Sequence, residues 1–146
     1  MSTNELDGVI VPTTTPFDTR GDMNFSAIGE QIDWLVECGV HGIAVGGSTG
    51  EGHSLASDEY AQLIETAVSS TNGRFPVIAG IITDSTRESV RRGQLIKDMG
   101  VAALQVTPVH YLFKPDDDAT VDHFRILTEE TGMPVIIYNV VPWSYL

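Results

Sequence analysis

The feature that most constrains the fold of this chain is a unit that repeats along it: a short apolar strand, a loop, an amphipathic helix and a glycine. Five strands are predicted, at residues 8–11, 42–45, 76–79, 102–106 and 134–138. They are rich in β-branched residues and apolar without alternation, which is typical of parallel strands covered on both faces. Strict alternation of strands and helices predicts a parallel α/β fold.

The four predicted helices carry residues that start, orient and stop helices. The first covers residues 26–37, and Cys38 is expected to be a packed thiol beside it. Ser57 is predicted to cap the second helix, while Ser85 and Glu88 have capping-box spacing at the start of the third. The inward-facing residues predicted for the fourth helix are Val121, Phe124 and Leu127.

Two architectures fit this alternation, an open doubly wound sheet and a closed barrel, and periodicity alone does not choose between them. Neither a Gly-x-Gly-x-x-Gly motif nor a phosphate-binding loop follows the first strand, where the sequence reads Pro12-Thr13-Thr14-Thr15-Pro16-Phe17. An eight-stranded barrel needs about 250 residues. A chain of 146 residues with no linker would then be the N-terminal part of one barrel domain, residues 1–146.

The net charge of −12 excludes some partners. An acidic surface repels nucleic acid phosphates and anionic lipid, so we expect neither nucleic acid nor a membrane as a partner. No apolar run is long enough to span a membrane, and residues 1–7 do not resemble a signal peptide, which predicts a cytoplasmic protein. With one cysteine, the chain has no disulfide framework.

Binding residues of parallel α/β folds lie at the carboxyl ends of the strands. After the second strand the sequence reads Gly46-Gly47-Ser48-Thr49-Gly50-Glu51-Gly52. Glycines allow tight turns and close approach of a ligand, and the amides and hydroxyls of Ser48 and Thr49 could hold a carboxylate. A flexible turn with helix-capping hydroxyls is an equally good interpretation.

Two further side chains are candidates for proton transfer. Tyr138 ends the fifth strand and could point its phenol into the mouth of a barrel, although a core aromatic is the better interpretation of that residue alone. His110, after the fourth strand, is either a general acid or base or an exposed loop residue. His53 has no obvious partner, and His123 is expected to face solvent. The spacing of histidines and carboxylates predicts no metal site.

These motifs together resemble those of the dihydrodipicolinate synthase and N-acetylneuraminate lyase family, the class I pyruvate-dependent aldolases. The residues concerned are Gly47-Ser48-Thr49-Gly50-Glu51, Tyr138-Asn139-Val140, Val106-Thr107-Pro108 and the opening Val11-Pro12-Thr13-Thr14-Thr15-Pro16-Phe17. The resemblance covers essentially the whole chain. It implies a (β/α)8 TIM barrel, of which this chain would supply the first five strands and four helices.

The resemblance also implies a chemistry. In the family, a lysine on strand 6 forms a Schiff base with the keto carbon of pyruvate or another 2-oxo acid, and no cofactor takes part. By resemblance, Tyr138 relays protons, Ser48 orients it, and Gly47, Ser48 and Thr49 bind the carboxylate. A phenol in a dry pocket that is hydrogen-bonded to a hydroxyl can move a proton at the carbinolamine.

The sequence departs from the family pattern in three places. The strand-6 lysine is absent, and neither Lys97, near the end of helix 3 towards the wrong face, nor Lys114 replaces it, since a Schiff-base lysine needs burial or nearby cations. The aromatic pair after the strand-4 Thr-Pro is replaced by Val109-His110-Tyr111, where Tyr111 or His110 could carry the relay. No arginine follows Tyr138 closely, which argues against lysine biosynthesis and favours another aldolase, dehydratase or deaminase.

The expected function is therefore that of a pyruvate-type lyase present in part and inactive by itself. The alternative is a half-barrel module that binds a 2-oxo acid or a partner chain without catalysis. In the full-length protein the resemblance implies a homo-oligomer.

Overall fold

A computed structural model describes residues 6–110 and 114–140 of the chain. Within them, five strands alternate with four helices, as the sequence predicts. The strands are β1 (Ile10–Pro12), β2 (Gly42–Val45), β3 (Val77–Ile81), β4 (Ala103–Val106) and β5 (Val135–Ile137). The helices are α1 (Phe25–Glu37), α2 (Ser57–Thr71), α3 (Thr86–Ile96) and α4 (Asp117–Thr131).

The order of the strands identifies the architecture. All five lie in one sheet in the order β1-β2-β3-β4-β5, and each pairs in parallel with the next. A doubly wound sheet reverses its strand order at a switch point, whereas a (β/α)8 barrel adds every strand beside the preceding one. The sheet is thus the first part of a TIM barrel, and the predicted fold class is confirmed.

Both faces of the sheet are apolar, which explains the continuous apolar runs of the strands. Alternate residues such as Ile43 and Val45 pack against the helices in the main core. The residues between them form a second, smaller cluster on the opposite face, made of Ala44, Ile78 and Ala103 with Ile10 and Ile136 beside them. That face corresponds to the barrel interior, which side chains fill in layers.

Four local predictions at helix positions are wrong, one of which is the solvent-facing side chain expected for His123. The N-cap of α2 is Ala56, not Ser57. The N–H of Ala56 donates to the carboxylate of Glu59 at 2.8 Å, so a side chain from the first turn of the helix caps its N-terminus. Cys38 is exposed, because the buried stripe of α1 passes through Ile28, Ile32 and Leu35 and misses it. Val121 is 65% exposed, since α4 turns His123, Leu127 and Thr131 inward instead.

No helix among residues 6–110 and 114–140 is long and apolar enough to cross a membrane. The cytoplasmic location stays a prediction.

Candidate functional site

The loop between β2 and α2, residues 46–56, lies at the carboxyl edge of the sheet and is folded into successive turns. The amide of Gly52 donates to Gly47 O at 3.1 Å, and that of Glu51 donates to Ser48 O at 3.2 Å. Gly46 has φ of 69° and Glu51 has φ of 54°, a left-handed conformation that costs a residue with a Cβ some free energy. The surrounding contacts hold this loop in one shape.

Part of that support comes from the segment after β1. The hydroxyl of Thr15 is buried and donates to Gly50 O at 2.6 Å. A Cβ added at Gly50 would lie 2.9 Å from Thr13 O, so the two segments approach closely only because residue 50 is a glycine. This contact gives the Thr13-Thr14-Thr15 motif of the sequence a structural role.

Ser48 carries an unusual hydroxyl. Its Oγ is buried, and no hydrogen-bond partner for it lies in the described part of the chain. A buried hydroxyl without a partner costs about 1–3 kcal/mol, so such a group in a folded protein needs a cause, and a catalytic role or a bound water or ion is among the causes. Gly47 beside it is buried and Thr49 is exposed, so the loop offers both a recessed and an accessible group.

Ser48 lines a cavity of about 680 Å³ between the loops that follow β2, β3 and β4. His110 lines the same cavity, as do His53, Ile82, Thr83, Asp84, Ser85, Glu88 and Arg92. The Nδ1 of His110 lies 3.0 Å from Pro108 O, and since a carbonyl only accepts, Nδ1 carries the proton. In the neutral imidazole Nε2 is then free to accept a proton.

Tyr138 follows β5, and its amide donates to Val106 O at 2.8 Å, which continues the sheet ladder by one residue. The side chain is half-buried. Within residues 6–110 and 114–140, no hydrogen bond joins the Ser48 hydroxyl to the Tyr138 phenol. The Ser48–Tyr138 relay therefore stays a prediction. Tyr111 lies outside the described residues.

His123 is buried, not solvent-facing as the sequence predicts. It is 2% exposed, with Nε2 3.1 Å from Thr107 O and Nδ1 2.9 Å from the Thr86 hydroxyl. Because the carbonyl only accepts, Nε2 carries the proton and Nδ1 accepts from Thr86. Burial lowers the pKa of His123, although the bond to Thr107 opposes this. The residue joins α4 to the start of α3 and to the residue that follows β4.

Sequence reasoning also missed Arg92. This residue of α3 lies on the same buried stripe as Ser89, Gly93 and Ile96, and its side chain is 8% exposed. Its position in the sequence could have indicated this burial. Arg92 lies three residues after Ser89 and four before Ile96, and residues with this spacing share one face of a helix.

The described residues contain no group of three His, Cys, Asp or Glu side chains that could hold a metal ion. The absence of a metal or cofactor from the reaction stays a prediction.

A family model and individual proteins of known sequence relate this chain to the same family. The family model described as the dihydrodipicolinate synthetase family matches residues 5–143. The 4-hydroxy-tetrahydrodipicolinate synthase of Bacillus subtilis is 38% identical over 127 residues, which are 86% of this chain and 43% of that protein. The enzyme of the same name from Methanopyrus kandleri is 37% identical over 138 residues, 93% of this chain and 45% of that protein.

Solved structures similar to this chain come from the same family. The dihydrodipicolinate synthase of Aquifex aeolicus superposes with a TM-score of 0.90 at 34% identity, over 96% of this chain and 47% of that one. The chloride-inhibited dihydrodipicolinate synthase of Acinetobacter baumannii, solved with pyruvate, gives a TM-score of 0.91 at 30% identity, over 94% and 47% of the two chains. This chain therefore spans about half the length of the proteins it matches.

Proposed function

The chain belongs to the dihydrodipicolinate synthetase family, and we propose that the complete protein is a Schiff-base lyase acting on pyruvate or a similar 2-oxo acid. The observation that carries the proposal is the buried Ser48 hydroxyl, which has no hydrogen-bond partner among the described residues, in a glycine-rich loop at the carboxyl edge of a barrel sheet. The solved relative from Acinetobacter baumannii holds pyruvate, whose carboxylate is an acceptor of the kind that this loop lacks.

In this proposal the β2–α2 loop binds the substrate carboxylate. Hydroxyls and amides of Ser48 and Thr49, with the amide of Gly47, donate to its oxygens, as successive N–H groups do in anion-binding nests. Charge-assisted hydrogen bonds are stronger than neutral ones. The loop thereby fixes the keto carbon of the substrate relative to the rest of the barrel mouth.

Catalysis then requires an amine that this chain does not supply. Its lysines are at positions 97 and 114, and Lys97 is the C-terminal cap of α3, at the opposite edge of the sheet from the carboxyl ends. Lys114 is exposed and is followed by Pro115 and the aspartates 116–118, whereas a Schiff-base lysine is activated by an apolar pocket or a neighbouring cation. We propose that a lysine on strand 6 of the complete protein attacks the keto carbon and that residues 1–146 alone are inactive.

Tyr138 is the proposed proton carrier. When the lysine amine adds to the keto carbon, the carbinolamine loses water to form an iminium, and the leaving oxygen needs a proton. A phenol at the end of β5 can deliver it and recover it in the reverse step. His110 is the alternative carrier, since its Nε2 makes no hydrogen bond within the described residues and the residue lines the Ser48 cavity.

For the overall reaction, the sequence after Tyr138 favours a class of reaction that differs from that of the named relatives. The relatives are named for 4-hydroxy-tetrahydrodipicolinate synthesis, but the stretch after Tyr138 reads Asn139-Val140-Val141-Pro142-Trp143 and contains no arginine. We therefore favour an aldolase, dehydratase or deaminase of 2-oxo acids. The partners expected from the sequence, namely a 2-oxo acid and further copies of the same chain in a homo-oligomer, belong to this proposal.

The test needs only pyruvate, so it does not depend on the second substrate. An iminium acidifies the adjacent methyl group, which loses a proton to give an enamine and then regains one from solvent. In D₂O, the complete protein should replace the methyl protons of pyruvate with deuterium, followed by proton NMR. Exchange no faster than with buffer alone would contradict the proposed function.

A matched variant separates the loop from the rest of the barrel. Thr49→Val keeps the shape of the side chain and removes its hydroxyl. The pyruvate concentration needed for half-maximal exchange should then rise about tenfold, as expected for the loss of a hydrogen bond to a charged group. Thr19→Val, in the exposed turn after β1, serves as the control and should leave exchange unchanged.

A further inference from the structure

The buried guanidinium of Arg92 has no role in the relay described above, yet it contacts the loop on which the proposed function depends. We propose that Arg92 is a positioning residue, which holds the β2–α2 loop in the shape that presents Ser48 and Thr49 to the substrate carboxylate. The inference depends on the proposed function for the identity of the ligand, and on the contacts below for the support of the loop.

Arg92 reaches from α3 into the loop and donates two hydrogen bonds to its backbone. Nη1 donates to Gly52 O at 2.6 Å, and Nη2 donates to Leu55 O at 3.0 Å. A planar guanidinium can serve both carbonyls at once, whereas an ammonium group is a single point charge on a flexible stem. The two bonds fix the C-terminal side of the loop at two points three residues apart.

The guanidinium is held in this position by its neighbours. Its Cζ lies 5.0 Å from the centroid of the Tyr60 ring, at which a cation is attracted to the aromatic face. The Glu88 carboxylate lies 3.6 Å from Nε and offsets the charge, although Nε itself is buried without a hydrogen bond within the described residues. These contacts leave the side chain little freedom to leave the loop.

Tyr60 also connects Arg92 to strand β3, against which the segment before Ser48 packs. The Tyr60 hydroxyl donates to Gly80 O at 2.9 Å. A Cβ added at Gly80 would lie 2.5 Å from both Cα and N of Gly47, so the N-terminal side of the loop rests directly on β3. The loop is thus supported by the backbone of β3 on one side and by Arg92 on the other.

The test compares three variants of the complete protein. Arg92→Met keeps most of the aliphatic part of the side chain and removes both hydrogen-bond donors. Arg92→Lys keeps the positive charge but loses the planar guanidinium that can donate to two carbonyls at once. Arg91→Met is the control, because its side chain is 67% exposed on the same helix and contacts only Glu88 among the ion pairs. The half-saturating pyruvate concentration should rise about ten- to hundredfold in Arg92→Met, less in Arg92→Lys, and not in Arg91→Met.

A second readout needs no activity and separates a positioning role from a general loss of stability. The amides of Glu51, Gly52 and Ser54 are bonded within the loop, and their hydrogen exchange can be followed in the ligand-free protein. In Arg92→Met they should exchange at least tenfold faster, while amides in the core of α1 keep their rates. The double variant Arg92→Met/Thr49→Val should bind pyruvate little worse than Arg92→Met alone, because both changes act on one loop.

Two results would overturn the inference. One is unchanged exchange of the loop amides in Arg92→Met, which would mean that the loop keeps its shape without the guanidinium. The other is acceleration of all amides alike, which would mean that Arg92 only stabilises the fold. If the unaltered protein fails to exchange pyruvate protons, the proposed function fails, while the amide measurement still decides whether Arg92 holds the loop.

Discussion

Among single residues, Ser48 and Tyr138 are proposed to act together. Tyr138→Phe removes the phenol proton and keeps the ring, so turnover in the complete protein should fall by roughly 10²–10⁴-fold with little change in stability. Ser48→Ala should lower turnover less, because the phenol loses its orienting partner and keeps its proton. The double variant should be scarcely worse than Tyr138→Phe alone, as coupled neighbours require.

Steady-state kinetics on the four proteins of this cycle provide the measurement. Full turnover by Tyr138→Phe, or effects of the two changes that simply multiply, would show that the relay is assigned wrongly. His110 would then be the leading candidate for the proton carrier, since it lines the cavity that contains Ser48.

His123 should make stability depend on pH. Its pKa is lowered in the folded protein from the ordinary value of 6.5, so below pH 6.5 the unfolded chain binds a proton that the folded protein does not. The free energy of unfolding should therefore fall as pH drops from 6.5 towards the folded pKa, and level off below it. Above pH 6.5 this residue adds no pH dependence.

Urea unfolding of the wild type and of His123→Gln, each at pH 7.5 and pH 5.5, isolates this effect from other groups. The variant should be less stable at pH 7.5 by about 1–3 kcal/mol, because it disturbs two buried hydrogen bonds. It should also lose less stability than the wild type on acidification. An equal loss in both proteins would assign the pH dependence elsewhere.

Sequence patterns identify some residues of the site and miss others for a physical reason. Gly47, Ser48 and Thr49 form a contiguous motif beside a predicted strand end, and the structure places them in the loop at that edge, with Gly47 buried and Thr49 exposed. Arg92 and His123 act across the sequence, on partners 40 and 16 residues away respectively. A polar residue on a helix is expected to face solvent unless such a distant partner is known.

Among the elements, the packing of the β2–α2 loop against β3 predicts that alanine substitution at two glycines has opposite effects on stability. A Cβ at Gly80 would meet the backbone of Gly47, which cannot move aside cheaply. Gly80→Ala should therefore cost about 1–3 kcal/mol of stability and weaken pyruvate binding by displacing Ser48. The same change at Gly29, in α1, finds only Ser70 Oγ at 3.6 Å, an ordinary contact.

Gly29→Ala should consequently stabilise the protein by about 0.5–1 kcal/mol, the difference in helix propensity between the two residues. Urea denaturation and pyruvate binding, measured for both variants, make the comparison. If Gly80→Ala is as stable as the wild type and binds pyruvate normally, the loop does not rest on β3 in the way the structure shows.

The elements themselves are predictable because each has a local cause. Apolar strands and capped amphipathic helices follow from residues close in sequence, and all nine elements expected for the chain are observed within the described residues, with the predicted bounds for β2 and boundaries shifted by one to a few positions in the others. The choice between a barrel and a doubly wound sheet is different. It depends on which strands become neighbours, and the local pattern is the same in both cases.

At the scale of the whole molecule, the five-stranded sheet leaves β1 and β5 each with one strand neighbour among the described residues. Ile137, the last residue of β5, is 59% exposed, and Val121 on α4 is 65% exposed. Open apolar edges favour association. We therefore expect residues 1–146, prepared alone, to dimerise or aggregate in sedimentation velocity experiments.

Val121→Lys with Ile137→Lys should reduce this association by placing charge on the edge, whereas Leu95→Lys on α3, which is also an exposed apolar position, should have little effect. A stable monomer of residues 1–146 would contradict the half-barrel interpretation. It would favour a self-contained module that binds its ligand without catalysis.

We propose that this chain supplies the carboxylate loop and the proton carrier of a Schiff-base lyase, while the lysine lies elsewhere. Borohydride reduction in the presence of pyruvate, followed by mass spectrometry, detects that lysine. We expect a stoichiometric adduct on the complete protein, at a lysine outside residues 1–146, and no adduct on residues 1–146 alone. A stoichiometric adduct on Lys114 or Lys97, or the absence of any adduct on the complete protein, would contradict the proposal.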